Sequence, residues 1–99
     1  MARFDIFDNE GGGGYLLDVQ SDLLSGLNTR VVVPLLPQSS APSPAQRLNP
    51  VFSIEGQDFV MATQYMAAVP KGELRSRVGN LAEQQDEISA ALDMLFLGF

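Results

Sequence analysis

Between Arg3 and Val69 the apolar residues recur with the alternation of strands, and from Leu81 onward they recur at the spacing of a helix. This change of period constrains the fold most. A strand sends successive side chains to opposite faces, whereas a helix gathers residues three and four apart on one side. Arg3-Phe4-Asp5-Ile6-Phe7 sets Phe4 and Ile6 on one face, and Tyr15-Leu16-Leu17-Asp18-Val19-Gln20 does the same for Tyr15, Leu17 and Val19. Thr29-Arg30-Val31-Val32-Val33 is rich in β-branched residues, which suit a pleated surface. Val51-Phe52-Ser53-Ile54, Glu55-Gly56-Gln57-Asp58 and Phe59-Val60-Met61-Ala62 read as strand, turn, strand, with Tyr65, Ala67 and Val69 continuing the sheet until Pro70 and Gly72 stop it. The expected architecture is mainly β: one antiparallel sheet with strands within about residues 3–69 and one C-terminal α-helix over about 81–97, in a single domain spanning 1–99.

Glycine and proline punctuate the pattern. Asn9-Glu10-Gly11-Gly12-Gly13-Gly14 carries four glycines, but no Lys-Ser/Thr follows and no helix begins there, so it reads as a hairpin connection and not as a phosphate cradle. Pro34 and Pro37 lack the N–H of a ladder and point to an edge strand or a strand exit. The Pro/Ser/Ala-rich stretch from Pro37 to Gln46 reads as a loop too short to separate domains. Asn80 followed by Glu83 resembles a capping box. Glu83, Asp86 and Glu87 suit the positive end of a helix, and Gly98 suits its exit.

The predicted helix has an apolar surplus. Leu81, Ile88, Leu92 and Leu95 supply the stripe that faces a core, which leaves Met94, Phe96, Leu97 and Phe99 over. Burying each is worth about 1.5–3 kcal/mol, so this excess points to another protein as its cover.

What the chain lacks excludes whole classes of chemistry. With no His and no Cys, Cys/His zinc sites, thiol nucleophiles and imidazole acid–base catalysis are ruled out. A net charge of −6 opposes charge-driven nucleic-acid binding, leaving only a small basic group at Lys71, Arg75 and Arg77. No apolar run is long enough for a membrane span, and Met1-Ala2-Arg3-Phe4-Asp5 lacks a signal-peptide core, so a cytoplasmic location is expected. Asp18 and Asp22 read as turn residues, and Glu83 to Glu87 as a solvated helix face. Ser21 and Ser25 have no base to activate them, and Tyr15 and Tyr65 read as sheet residues. No catalytic residue, metal or cofactor is expected.

Leu17-Asp18-Val19-Gln20-Ser21-Asp22-Leu23-Leu24 and Thr29-Arg30-Val31-Val32-Val33-Pro34-Leu35 resemble the CcdB toxin family of toxin–antitoxin modules. The resemblance continues through Leu48-Asn49-Pro50-Val51, Phe59-Val60-Met61-Ala62-Thr63, Met66-Ala67-Ala68-Val69-Pro70 and the ending Ala91-Leu92-Asp93-Met94-Leu95-Phe96-Leu97-Gly98-Phe99, so it spans essentially the whole chain. It implies a homodimeric, SH3-like-barrel-related fold shared with MazF toxins. It also implies a poison that traps the A subunit of DNA gyrase on cleaved DNA without chemistry of its own. A CcdA-like antitoxin would neutralise it and join it in regulating transcription.

Carried over residue by residue, the resemblance places gyrase contact at Leu23, Leu24, Asp93, Phe96, Leu97, Gly98 and Phe99. It places antitoxin contact at two loops: Gly11, Gly12, Gly13 and Gly14, and Ser39, Ser40, Ala41, Pro42 and Ser43. The alternative for Leu23, Leu24 and Phe96 is burial in the core or dimer interface. The chain departs from the family at its end, where Phe96-Leu97-Gly98-Phe99 stands for Phe-Trp-Gly-Ile, and at Asp93, where an amide is usual. Two other functions stay open: a MazF-like endoribonuclease, for which Arg30, Arg75 and Arg77 are the available groups, and an attenuated toxin that retains antitoxin binding and co-repression.

Overall fold

The β-branched run beginning at Thr29 lies at the centre of the sheet, not at its margin. The computed structural model describes residues 1–99. Its strands are β1 (Asp5–Asp8), β2 (Tyr15–Asp18), β3 (Thr29–Pro37), β4 (Val51–Ile54), β5 (Gln57–Met61), β6 (Ala67–Pro70) and β7 (Arg77–Asn80), and α1 (Gln85–Leu97) follows them. They form one curled antiparallel sheet in the order β4-β5-β3-β2-β1-β7, with β6 also paired to β3.

Pro34, against the expectation from its chemistry, neither ends β3 nor places it at an edge, whereas Pro37 is the last residue of the strand, the exit its chemistry predicts. β3 runs through Pro34, which lies opposite Leu16 of β2, and ends at Pro37 opposite Phe59 of β5. The reason lies in a change of partner. One side of β3 is covered by β6 over Thr29, Arg30, Val31 and Val32, then by β5 over Leu35, Leu36 and Pro37. The Pro34 carbonyl faces that side, accepting the Ala62 N–H at 2.9 Å, so the missing proline N–H falls in the gap between partners where no ladder bond is required.

Two boundaries also move. The sheet does not stop at Pro70: β7 adds to β1, with a bulge between Ile6 and Phe7. Arg77-Val78-Gly79-Asn80 offers one large apolar residue and a glycine, too weak a local signal for a strand. Its pairing is fixed from a distance by Asp5, whose Oδ1 accepts from Arg77 Nε and Asn80 Nδ2, both at 2.9 Å. The α-helix begins at Gln85 and not near Leu81. Asn80 does cap a backbone N–H, that of Ala82 at 2.7 Å, but the turn it starts is the short helical turn Ala82–Gln84, and α1 has no side-chain cap.

The main core gathers Phe4, Ile6, Leu17, Val19, Val33, Leu35, Phe52, Phe59, Met61, Leu81, Ile88 and Ala91 between the concave sheet face and α1. Phe4, Ile6, Leu17 and Val19 lie on the side their alternation predicts, and Tyr15 packs edge-on to Phe59 at 5.0 Å. Leu81 is a core residue although it precedes the helix. Ala91, absent from the predicted stripe, is fully buried in the same core cluster. A second small cluster, Phe7, Val32 and Leu74, occupies the opposite face.

Candidate functional site

Two groups of large apolar side chains face solvent. The first stands on the helical turn Asp22–Leu24 that connects β2 to β3, where Leu23 is 94% exposed and Leu24 is 48% exposed. Ser21 caps this turn, its Oγ accepting the Leu23 N–H at 3.2 Å. Asp22 Oδ1 accepts the Arg3 N–H at 2.8 Å. Arg3 in turn lays its guanidinium over the Phe4 ring, 4.6 Å from the centroid.

The second group ends α1. Phe96, Leu97 and Phe99 are exposed, whereas Met94 and Leu95 are half-buried. Gly98 adopts φ +81° and closes the helix, its N–H donating to the carbonyls of Asp93 and Met94 at 3.2 Å each. That left-handed exit is open to glycine at little cost and turns Phe99 away from the helix axis. Asp93 is exposed on the same turn. α1 packs chiefly on the helical turns Thr63–Tyr65 and Ala82–Gln84. The Asp22–Leu24 turn presents Leu and the α1 tip presents Leu and Phe to solvent, a surface suited to recognition.

The loops expected to meet an antitoxin lie at the other end of the β2–β3 pair. Gly11, Gly12, Gly13 and Gly14 connect β1 to β2, and Gly14 sits against the Leu35 carbonyl near the far end of β3. Ser39, Ser40, Ala41, Pro42 and Ser43 leave that same end toward β4, and Ser39, Ser40 and Ser43 are exposed. The loop is anchored downstream by Asn49, whose Nδ2 donates to the Met61 carbonyl and to Gln64 Oε1 while its Oδ1 accepts the Ala45 N–H.

Sequence reasoning misplaced Asp18. It is no turn residue: it ends β2, fully buried, paired with the equally buried Arg30. Burial pushes its carboxyl pKa up, opposed by the Arg30 guanidinium and the Gln20 N–H. The available signal was register: with Asp18 opposite Val32 and Leu17 opposite Val33, Asp18 and Arg30 fall on one sheet face, diagonally adjacent. Gln20, likewise unpredicted as a functional residue, joins this pair to the Asp22–Leu24 turn. Arg30 is therefore unavailable to an RNA substrate, whereas Arg75 is exposed and Arg77, paired with Asp5 through Nε, keeps an exposed guanidinium.

The curled antiparallel sheet closed by one terminal helix recurs in a solved structure. An endoribonuclease solved in complex with its cognate antitoxin from a mycobacterial species is similar to this chain with a TM-score of 0.75 and 17% sequence identity, over 100% of this chain and 98% of that one. At that identity the likeness concerns fold alone. The pattern of one family, described as CcdB protein, matches residues 3–98. The chain belongs to the CcdB family, whose members are the toxins of toxin–antitoxin modules.

Proposed function

We propose that this chain poisons DNA gyrase by binding its A subunit through Leu23, Leu24, Asp93, Phe96, Leu97, Gly98 and Phe99, acting as a cytoplasmic homodimer that a CcdA-like antitoxin neutralises. The observation that carries the reading is the exposure of Leu23, Phe96, Leu97 and Phe99 at two capped chain features. Large side chains held on ordered backbone are what a protein interface buries at its centre. Dimerisation brings a second α1 tip and a second Leu23 into one assembly, which supplies a broader surface than one chain holds. The antitoxin, reaching the loops of Gly11, Gly12, Gly13 and Gly14 and of Ser39, Ser40, Ala41, Pro42 and Ser43, regulates toxicity and transcription without chemistry at the toxin.

The burial of Arg30 counts against an endoribonuclease that would place this cation at the scissile phosphate. The test is a DNA-cleavage assay with purified gyrase and ATP. Accumulation of linear plasmid that depends on this protein supports the proposal. Intact plasmid together with cleaved RNA would replace it with the ribonuclease reading, and intact plasmid with intact RNA with the attenuated one.

A further inference from the structure

We infer that Gln20 is a positioning residue that holds the Asp22–Leu24 turn as a preformed ridge, so that Leu23 meets its partner already ordered. For the identity of that partner, the inference rests on the proposed gyrase contact.

Residues 21 to 29 are all exposed, nine in succession, so no side-chain burial orders this connection between β2 and β3. Polar struts do so instead, and Gln20 is the principal one. It is itself buried, with 7% of its surface exposed. Its Nε2 donates to the Leu24 carbonyl at 3.2 Å and to the Thr29 carbonyl at 3.1 Å, while its Oε1 accepts the Val31 N–H at 3.0 Å. One side chain thus ties the end of the turn to the first residues of β3. The placement of amide oxygen and nitrogen follows from these partners, one N–H and two carbonyls.

The backbone of Gln20 is gripped in turn. Its N–H donates to Asp18 Oδ1 at 3.0 Å, and its carbonyl lies 3.5 Å from Arg30 Nη2. The buried ion pair therefore acts on the exposed turn through Gln20, which transmits the rigidity of the sheet to a loop without a core of its own. A loop ordered in advance loses less conformational entropy on binding than one that folds against its partner.

The test combines backbone relaxation by NMR with binding to the dimerisation domain of the gyrase A subunit, comparing wild type with Gln20→Met, a neutral change of similar length that removes all three side-chain bonds. In the wild type, Leu23, Leu24 and Ser25 should show order parameters of about 0.85, as rigid backbone does. In Gln20→Met they should fall below about 0.6 while Val33 and Leu35 stay rigid, and gyrase affinity should weaken about tenfold. A turn that is mobile in the wild type, or that stays rigid in a folded Gln20→Met protein, overturns the inference, as does unchanged affinity with a loosened turn. If Gln20→Met does not fold, Gln20→Glu, which keeps the acceptor for Val31 and removes the donor to Leu24, takes its place under the same criteria. Wild-type protein that fails to bind the gyrase domain defeats the functional proposal alone, because the relaxation data still decide whether Gln20 orders the turn.

Discussion

Asp18 Oδ2 and Arg30 Nη2 lie 2.7 Å apart with both side chains sealed from solvent, and Arg30 Nε donates to the same oxygen at 2.8 Å. Arg30 Nη1, also buried, has no partner. Such a pair adds little net stability, since desolvation offsets attraction, but half of it left alone is an uncompensated charge in the interior.

Arg30→Met should therefore cost about 3–5 kcal/mol, and Asp18→Leu a similar amount, whereas the double substitution should cost well under their sum. Urea denaturation of the four proteins in a double-mutant cycle checks this. Additive losses would mean that the two charges do not compensate one another.

Asp5 sets an acid limit. Burial works against its carboxylate, but the Asn80 amide, the Ala2 N–H and the Arg77 guanidinium outweigh it and hold the pKa below the ordinary 3.8. A carboxylate with a depressed folded-state pKa contributes stability above its unfolded pKa and loses it as pH falls through the folded value. Asp5→Asn should flatten the fall in unfolding free energy as pH drops below about 4. An equally steep fall in the variant would assign the acid sensitivity elsewhere.

Two neighbouring glycines should respond differently to alanine. Gly13 and Gly14 both have positive φ, at +71° and +72°, but only at Gly14 would an added Cβ run into the Leu35 carbonyl. Gly13→Ala should cost about 1 kcal/mol for its left-handed backbone. Gly14→Ala should cost several times more, because β3 backbone has to move. Thermal denaturation of the pair gives the comparison.

Leu97 is 60% exposed, so Leu97→Trp should leave stability within about 0.5 kcal/mol of wild type. If the proposed gyrase pocket takes the larger ring, affinity should rise by about 1–3 kcal/mol, roughly ten- to a hundredfold. Calorimetric titration measures it. Unchanged or weaker binding would indicate a docking pose in which Leu97 is peripheral.

Much of the fold was legible because alternation and helical spacing are local. Phe4, Ile6, Leu17 and Val19 declared their face, and of the surplus Met94, Phe96, Leu97 and Phe99 all but the half-buried Met94 form the exposed tip. What escaped depended on distant partners. β7 exists because Asp5 binds Arg77 and Asn80 across the sheet. Pro34 is tolerated because β6 gives way to β5 beside it. Asp18 looked like a turn residue until Arg30, twelve positions on, was brought against it. Leu23 and Leu24 could have been core or interface residues on their sequence alone, yet both are exposed. The bond from Gln20 to the Leu24 carbonyl is invisible without register.

The central claim is that the exposed Leu23 and the α1 tip form a gyrase-binding surface. The most direct test is calorimetric titration of the wild type, Leu23→Ala and Gly98→Glu against the dimerisation domain of the gyrase A subunit, with folding and dimer size checked in parallel. The account predicts saturable binding by the wild type, binding at least about tenfold weaker for Leu23→Ala, and none for Gly98→Glu, with all three equally folded. Undiminished binding by both variants, or no binding by a folded wild-type dimer, would contradict it.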